Sequence, residues 1–213
     1  MDYREFLQKL IYRVINPVIK GMLRIGITPN IVTTVGFIGN IFSAALFIYA
    51  SQLADPAARA VAIGWGGFVI IASGLFDMMD GHLARMGGMS TRFGALYDST
   101  LDRYSELVSL FGVVLVFLEM GGAWFWMGVV TFAAMVGSVM VSYVRARAEG
   151  LGIECKVGLM QRPERVVVLS LTAIATGFTG SLWWLAGGMI AIAVLANITA
   201  FWRIAHCYKK LKD

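Results

Sequence analysis

Apolar residues in this chain come in long blocks rather than in alternation with polar ones. Spans of about 20 apolar residues, the length that crosses a bilayer, fall near 31–51, 60–80, 94–119, 123–144 and 182–202, with a shorter one at 166–178 that begins after Arg165. Backbone surrounded by hydrocarbon must satisfy its own hydrogen bonds, so these blocks are predicted to be helices. Residues 2–15 differ. Tyr3, Phe6, Leu7, Leu10 and Val14 recur at three- and four-residue spacing, while Arg4, Glu5, Gln8, Lys9 and Arg13 fill the other face. That pattern predicts an amphipathic helix lying in the membrane interface, ended or kinked at Asn16-Pro17. Thr28-Pro29-Asn30 reads as the start of the first spanning helix, with Thr28 as cap and Pro29 at the first helical position; direct contact with a substrate is an equal alternative for this segment. Gly87-Gly88 and Gly121-Gly122 mark turns. The predicted fold is an all-α integral membrane protein, one domain over 1–213, with an interfacial helix at 2–15 and a six-helix transmembrane bundle at 28–207.

Composition agrees. Of the 213 residues, 58% are hydrophobic and 15% charged, whereas a soluble domain carries about 25% charged residues. So few charges cannot cover a water-exposed surface. The net charge of +5 is explained by where the basic residues fall. All of the Lys and Arg except Arg59 lie in the N-terminal segment, around the second and fourth connections, or in the C-terminal tail. The positive-inside rule then puts both termini and the even-numbered connections in the cytoplasm. Anionic lipid accounts for this charge without nucleic acid. Cys155 and Cys207 both fall on the cytoplasmic side, where reduced thiols are expected. Residues 1–27 lack a continuous apolar core, so no cleavable signal peptide is expected.

Against this apolar background four carboxylates stand out: Asp77 and Asp80 in the second spanning helix, Asp98 and Asp102 in the third, with Glu106 one turn further on. An ionisable group inside a spanning helix is costly and points to function. Spacings of three and four place each pair on one face of its helix. The short Gly87-Gly88 turn makes the two helices antiparallel neighbours, so the pairs can face one another just inside the cytoplasmic surface. Bare anions cannot converge there. Either some are protonated or cations lie between them, and hard divalent metals suit oxygen ligands, magnesium first and manganese second. Two such ions about 3.5–4 Å apart form a clamp for phosphoryl chemistry. Gly81, Ala84 and Gly94 leave room for a substrate against the backbone, although small residues also permit close helix packing. Arg85 is placed to hold a phosphate. His82 is read as a polar wall residue rather than a ligand.

Residues 77–102 read DMMDGHLARMGGMSTRFGALYDSTLD. This resembles the signature of the CDP-alcohol phosphotransferase family, and Asp77, Asp80, Gly81, Ala84, Arg85, Gly94, Asp98 and Asp102 match every defined position. At residue frequencies of roughly 5–8%, eight chance matches arise on the order of once in 10¹⁰ trials. The resemblance extends over nearly the whole chain, because the family's architecture is an interfacial helix followed by six spanning helices, usually as a homodimer. It implies two divalent cations on Asp77, Asp80 and Asp98, with Asp102 as a further ligand or as the base. It also implies a site for the CDP-lipid, CDP-diacylglycerol, lined by Asp77, Asp80, Gly81, Ala84, Arg85 and Gly94. The acceptor hydroxyl would give its proton to Asp102 and attack the lipid-side phosphorus, releasing CMP. A metal beside Asp102 would weaken it as a base, so its role is positioning as well as proton transfer.

The acceptor is signalled elsewhere. SYVRARAEG (142–150) and QRPER (161–165) are similar to stretches of bacterial phosphatidylinositol-phosphate synthases, which use inositol 1-phosphate. By that resemblance Ser142, Arg145, Arg147 and Arg162 would hold the acceptor's phosphate. Arg145 departs from the lysine usual there, although an arginine can hold a phosphate bidentately. Simple positive-inside anchoring is the competing explanation of the cluster. Glycerol 3-phosphate, also a phosphorylated polyol, is the alternative acceptor. A cation transporter is the alternative from a different class, disfavoured because the carboxylates cluster near one side of the membrane. The expected location is the inner membrane, multi-pass, with the active site on the cytoplasmic side.

Overall fold

A computed structural model of the chain describes residues 15–212. Among these residues the regular structure is entirely helical. A helical stretch, α1, covers 15–24. It is followed by α2 (Pro29–Gln52), α3 (Pro56–Met86), α4 (Arg92–Met120), α5 (Trp124–Gly150), α6 (Arg162–Thr179) and α7 (Trp183–Leu211). The interfacial helix predicted at 2–15 lies, but for residue 15, outside the described residues. Each apolar block became a helix, and the turns at Gly88 and at Gly121-Gly122 have positive φ, the conformation that favours glycine. The chain stays helical across Asn16-Pro17 and breaks at Gly26, whose φ of +73° and the Ile27 N–H to Met22 carbonyl bond of 3.0 Å form a left-handed helix end. Glycine supplies the stop of the 15–24 stretch, and whether Asn16-Pro17 ends the helix expected at 2–15 falls outside the described residues.

α2, α3, α5 and α7 are long and apolar enough to cross a membrane. α4 carries Arg92, Asp98, Asp102, Arg103 and Glu106, and α6 is only 18 residues long with a charged first turn. Several helices overrun their apolar blocks. α3 has 31 residues, about 46 Å at 1.5 Å per residue, against a hydrocarbon core of about 30 Å. The extra turns lie at the ends rich in Arg and Lys, residues that continue a helix well.

The chain divides into two compact units. The first comprises Met1–Gly39 and Ala72–Tyr104, and its core is Ile15, Ile19, Val32, Met79 and Leu83. The second comprises Asn40–Ile71 and Ser105–Asp213, with a larger core that includes Phe47, Ile63, Leu110, Val113, Phe117, Leu185 and Met189. In the second unit α3 and α6 meet at Gly64 and Gly177. A Cβ on Gly64 would lie 2.8 Å from the Gly177 Cα, so only glycine allows this backbone contact, as is common where lipid supplies no hydrophobic drive between helices. Large apolar side chains such as Trp65, Phe68, Trp126, Phe178 and Phe201 point outward, which suits a surface solvated by lipid.

Candidate active site

In the first unit, α2, α3 and α4 enclose a pocket of about 200 Å³ lined in part by Asn30, Thr33, Asp80, Gly81, Arg85 and Asp98. α2 begins at Pro29, as the sequence predicted, and the Thr28 carbonyl accepts the first helical hydrogen bonds from Ile31 and Val32. This start brings Thr33 to α3, where its hydroxyl donates to Asp80 Oδ2 at 2.6 Å. Asp80 is only 5% exposed, and the carboxylates of Asp77 and Asp98 both repel it. Asp98 of the α4 pair thus approaches Asp80 of the α3 pair. Asp77 and Asp98 are half-buried. Asp102, one turn beyond Asp98, is half-buried and lies 3.6 Å from the Arg103 guanidinium.

Close approach demands a small residue at Gly36 and Gly94, whereas a side chain at Gly81 would make only an ordinary contact. A Cβ on Gly36 would stand 3.0 Å from Asp77 Oδ1, so α2 passes tightly beside that carboxylate. A Cβ on Gly81 would meet Arg85 Nη1 at 3.5 Å. Gly94, in the first turn of α4, donates its N–H to the Thr91 hydroxyl oxygen at 2.9 Å, and Ala84 and Gly94 line the same pocket. His82 Nε2 is hydrogen-bonded to Asn16 Oδ1 at 2.7 Å, which ties α3 to α1.

Among the described residues no three His, Cys, Asp or Glu side chains form a closed metal cage. The donor set nevertheless fits hard cations. It is all oxygen, it gathers mutually repelling carboxylates, and it borders a pocket with room for ions and a substrate. The sequence reading missed Thr33, Thr34 and Tyr97. The Thr34 hydroxyl and the Tyr97 phenol are 3.0 Å apart and join α2 to α4 beside the pocket. The available signal was a pair of hydroxyls inside an otherwise apolar block.

The second unit holds the residues predicted to bind the acceptor's phosphate. Ser142 and Arg145 on α5 are half-buried, and Arg147 is exposed; Arg145 Nε donates to Glu149 Oε1 at 2.9 Å. Arg162 is the first residue of α6 and half-buried. Two further arginines are buried, Arg165 and Arg203, each 2% exposed. Arg165 forms a two-bond ion pair with Glu106, through Nε at 2.5 Å and Nη2 at 2.8 Å, and donates to the Met160 carbonyl at 3.0 Å. Arg203 donates to the carbonyls of Val157 at 2.8 Å and Val141 at 2.6 Å. The charges of Arg145 and Arg165 both act on Arg203, so three guanidiniums share one electrostatic neighbourhood. No local pattern in the sequence pairs Arg165 with Glu106 or Arg203 with the 151–161 connection. Cys155 and Cys207 are free thiols, and both belong to a small cluster with Ala148 and Ile153. Burial, and then the neighbouring Cys207, push the Cys155 thiol up.

Comparison with known proteins places this geometry. Residues 26–202 match the family model described as CDP-alcohol phosphatidyltransferase. The chain is 35% identical over 196 residues to the phosphatidylinositol phosphate synthase of Mycobacteroides abscessus, covering 90% of this chain and 82% of that one. It is 37% identical over 148 residues to the archaetidylinositol phosphate synthase of Methanothermobacter thermautotrophicus, covering 69% and 71% respectively. Its fold is similar to that of crystal structures of the Mycobacterium tuberculosis phosphatidylinositol phosphate synthase. With CDP-DAG bound, that structure gives a TM-score of 0.80 at 31% identity, covering 92% of this chain and 94% of that one. In complex with manganese and citrate it again gives 0.80 at 31% identity, covering 91% and 88%. The choice between enzyme and cation transporter is thereby decided: the chain belongs to the CDP-alcohol phosphatidyltransferase family.

Proposed function

We propose that this enzyme transfers a phosphatidyl group from CDP-diacylglycerol to inositol 1-phosphate and releases CMP. The observation that carries the reaction class is the pocket of the first unit, lined by Asp80 and Asp98 beside Gly81, Arg85 and Gly94, with the Asp77 carboxylate acting on Asp80. The acceptor rests on the basic neighbourhood of the second unit, which suits a ligand bearing about two negative charges, and on relatives named for inositol phosphate products. In this reading Asp77, Asp80 and Asp98, with Asp102 as a further ligand, hold two divalent cations, magnesium before manganese; a related structure contains manganese. When bound, such cations neutralise the pyrophosphate and stabilise the leaving phosphate. Gly81 and Ala84 let the nucleotide approach the backbone, and Arg85 pairs with a phosphate oxygen. Ser142, Arg145, Arg147 and Arg162 hold the acceptor's phosphate. Asp102 orients the attacking hydroxyl and takes its proton as the new P–O bond forms and the bond to CMP breaks.

The finer architecture belongs to the same reading. α4 and α6 also span the membrane, which makes six spans in one membrane domain. The N-terminal segment lies in the interface, both termini and the site face the cytoplasm across the inner membrane, and the chain works as a homodimer. α4 tolerates its charges because the carboxylates border a polar pocket rather than lipid.

The test is CMP release by purified protein given CDP-diacylglycerol, magnesium and one alcohol at a time. Product is expected with inositol 1-phosphate, none after chelation, and about 10³-fold less from Asp102→Asn, the size of a general-base contribution. Turnover with glycerol 3-phosphate alone would remove the acceptor assignment and leave the reaction class standing. Full activity of Asp102→Asn without added metal would remove the mechanism. Because one relative is an archaetidylinositol phosphate synthase, an ether-linked CDP-lipid is run beside the diacyl donor.

A further inference from the structure

The connection between α5 and α6, residues 151–161, is anchored to one face of α7. The hydroxyl of Thr199 accepts the backbone N–H of Leu159 at 3.3 Å and of Met160 at 3.2 Å. One turn on, Arg203 Nε donates to the Val157 carbonyl at 2.8 Å. A further turn on, His206 Nε2 and Lys210 Nζ each lie 3.3 Å from the Glu154 carbonyl. Positions 199, 203, 206 and 210 are spaced as one helical face. Thr199 is 0% exposed, so its hydroxyl serves the interior. Gly158 has φ of +122°, and a Cβ there would run into the Thr199 methyl group. The loop is therefore built around Thr199 as much as held by it.

What this anchoring positions is the start of α6. The N-cap residue Gln161 makes no side-chain capping bond, although such bonds normally satisfy the orphan N–H groups of a helix start and fix its entry. Thr199 fixes this entry from another helix, immediately upstream. Met160 is gripped on both sides, by Thr199 at its N–H and by Arg165 at its carbonyl. Arg162 follows two residues later. In the reading above Arg162 holds the acceptor's phosphate, and the inference rests on that reading.

We propose that Thr199 is a positioning residue for the acceptor: through Leu159 and Met160 its hydroxyl sets the first turn of α6 and hence the placement of Arg162. It touches neither substrate. Thr199→Val keeps the shape and removes the hydroxyl, so Leu159 and Met160 lose their shared acceptor. The expected result is a KM for inositol 1-phosphate raised about tenfold, equivalent to about 1.4 kcal/mol and within the worth of one or two hydrogen bonds. KM for CDP-diacylglycerol and kcat at saturating acceptor should stay within about twofold, a split that general loosening of the fold would not produce. Thr199→Ser should restore the acceptor KM. Gly158→Ala, which pushes on the Thr199 methyl from the other side, should raise the same constant. Wild-type turnover with an unchanged acceptor KM in Thr199→Val overturns the proposal alone. So does an equal rise in both KM values with a lowered Tm, since that marks a structural role only. Wild-type protein that does not use inositol 1-phosphate overturns the functional reading and, with it, this inference.

Discussion

Asp80 concentrates the chemical problem of the site in one residue. It is nearly inaccessible, two further carboxylates face it, and a single hydroxyl from α2 supports one of its oxygens. A side chain that orients a metal-binding carboxylate without binding metal itself commonly accounts for 10–100-fold in metal affinity. Thr33→Val is therefore expected to raise the magnesium concentration for half-maximal CMP release by about tenfold, and Thr33→Ser to restore it. A titration of activity against magnesium reads this directly, and an unchanged midpoint would mean that Thr33 only packs. At the same scale, His82 inside the signature is tied to α1 through its Nε2. Its partner is Asn16, a residue in a different helix that no local pattern pairs with it.

At the scale of elements, one ion pair joins α4 to α6. The Glu106 and Arg165 side chains are 8% and 2% exposed, and Arg165 spends its third donor on Met160. Removing one partner of a buried pair strands the other charge, at a cost of about 3–5 kcal/mol. Glu106→Gln should lower the Tm in detergent markedly. Glu106→Leu combined with Arg165→Met should recover part of that loss, because two apolar residues strand nothing. A double variant less stable than either single one would assign the pair a net stabilising role beyond mutual neutralisation. Helix contacts elsewhere follow different rules. α3 and α6 meet glycine to glycine at Gly64 and Gly177, where no charge is involved and shape alone decides.

For the whole molecule, the distribution of charge leads to a testable topology. The basic residues are grouped at connections that the positive-inside rule assigns to the cytoplasm, and the same rule assigns Asp55 and the Gly121-Gly122 turn to the opposite side. A single cysteine placed at Asp55 in a background lacking Cys155 and Cys207 should react with a membrane-impermeant maleimide in intact cells. One placed at Lys212 should react only after the membrane is opened. The reverse pattern would invert the orientation and place the aspartates on the wrong side for a cytoplasmic nucleotide.

The sequence by itself determined the helices, because apolar block length and the exclusion of unpaired backbone from lipid leave few alternatives. It also determined the aspartate pairs, because a period of 3.6 residues puts positions 77 and 80, and 98 and 102, on shared faces. The reaction class was legible for the same reason: its residues lie within one short stretch, joined by one turn. Tertiary structure alone decided which distant groups met. Thr33 reached Asp80, Glu106 found Arg165 across 59 positions, and Thr199 took hold of a loop 40 positions away. Such partners carry no local signal. A hydroxyl or a carboxylate in a helix states what it can bond to, and only the packing of other helices against it states what it does.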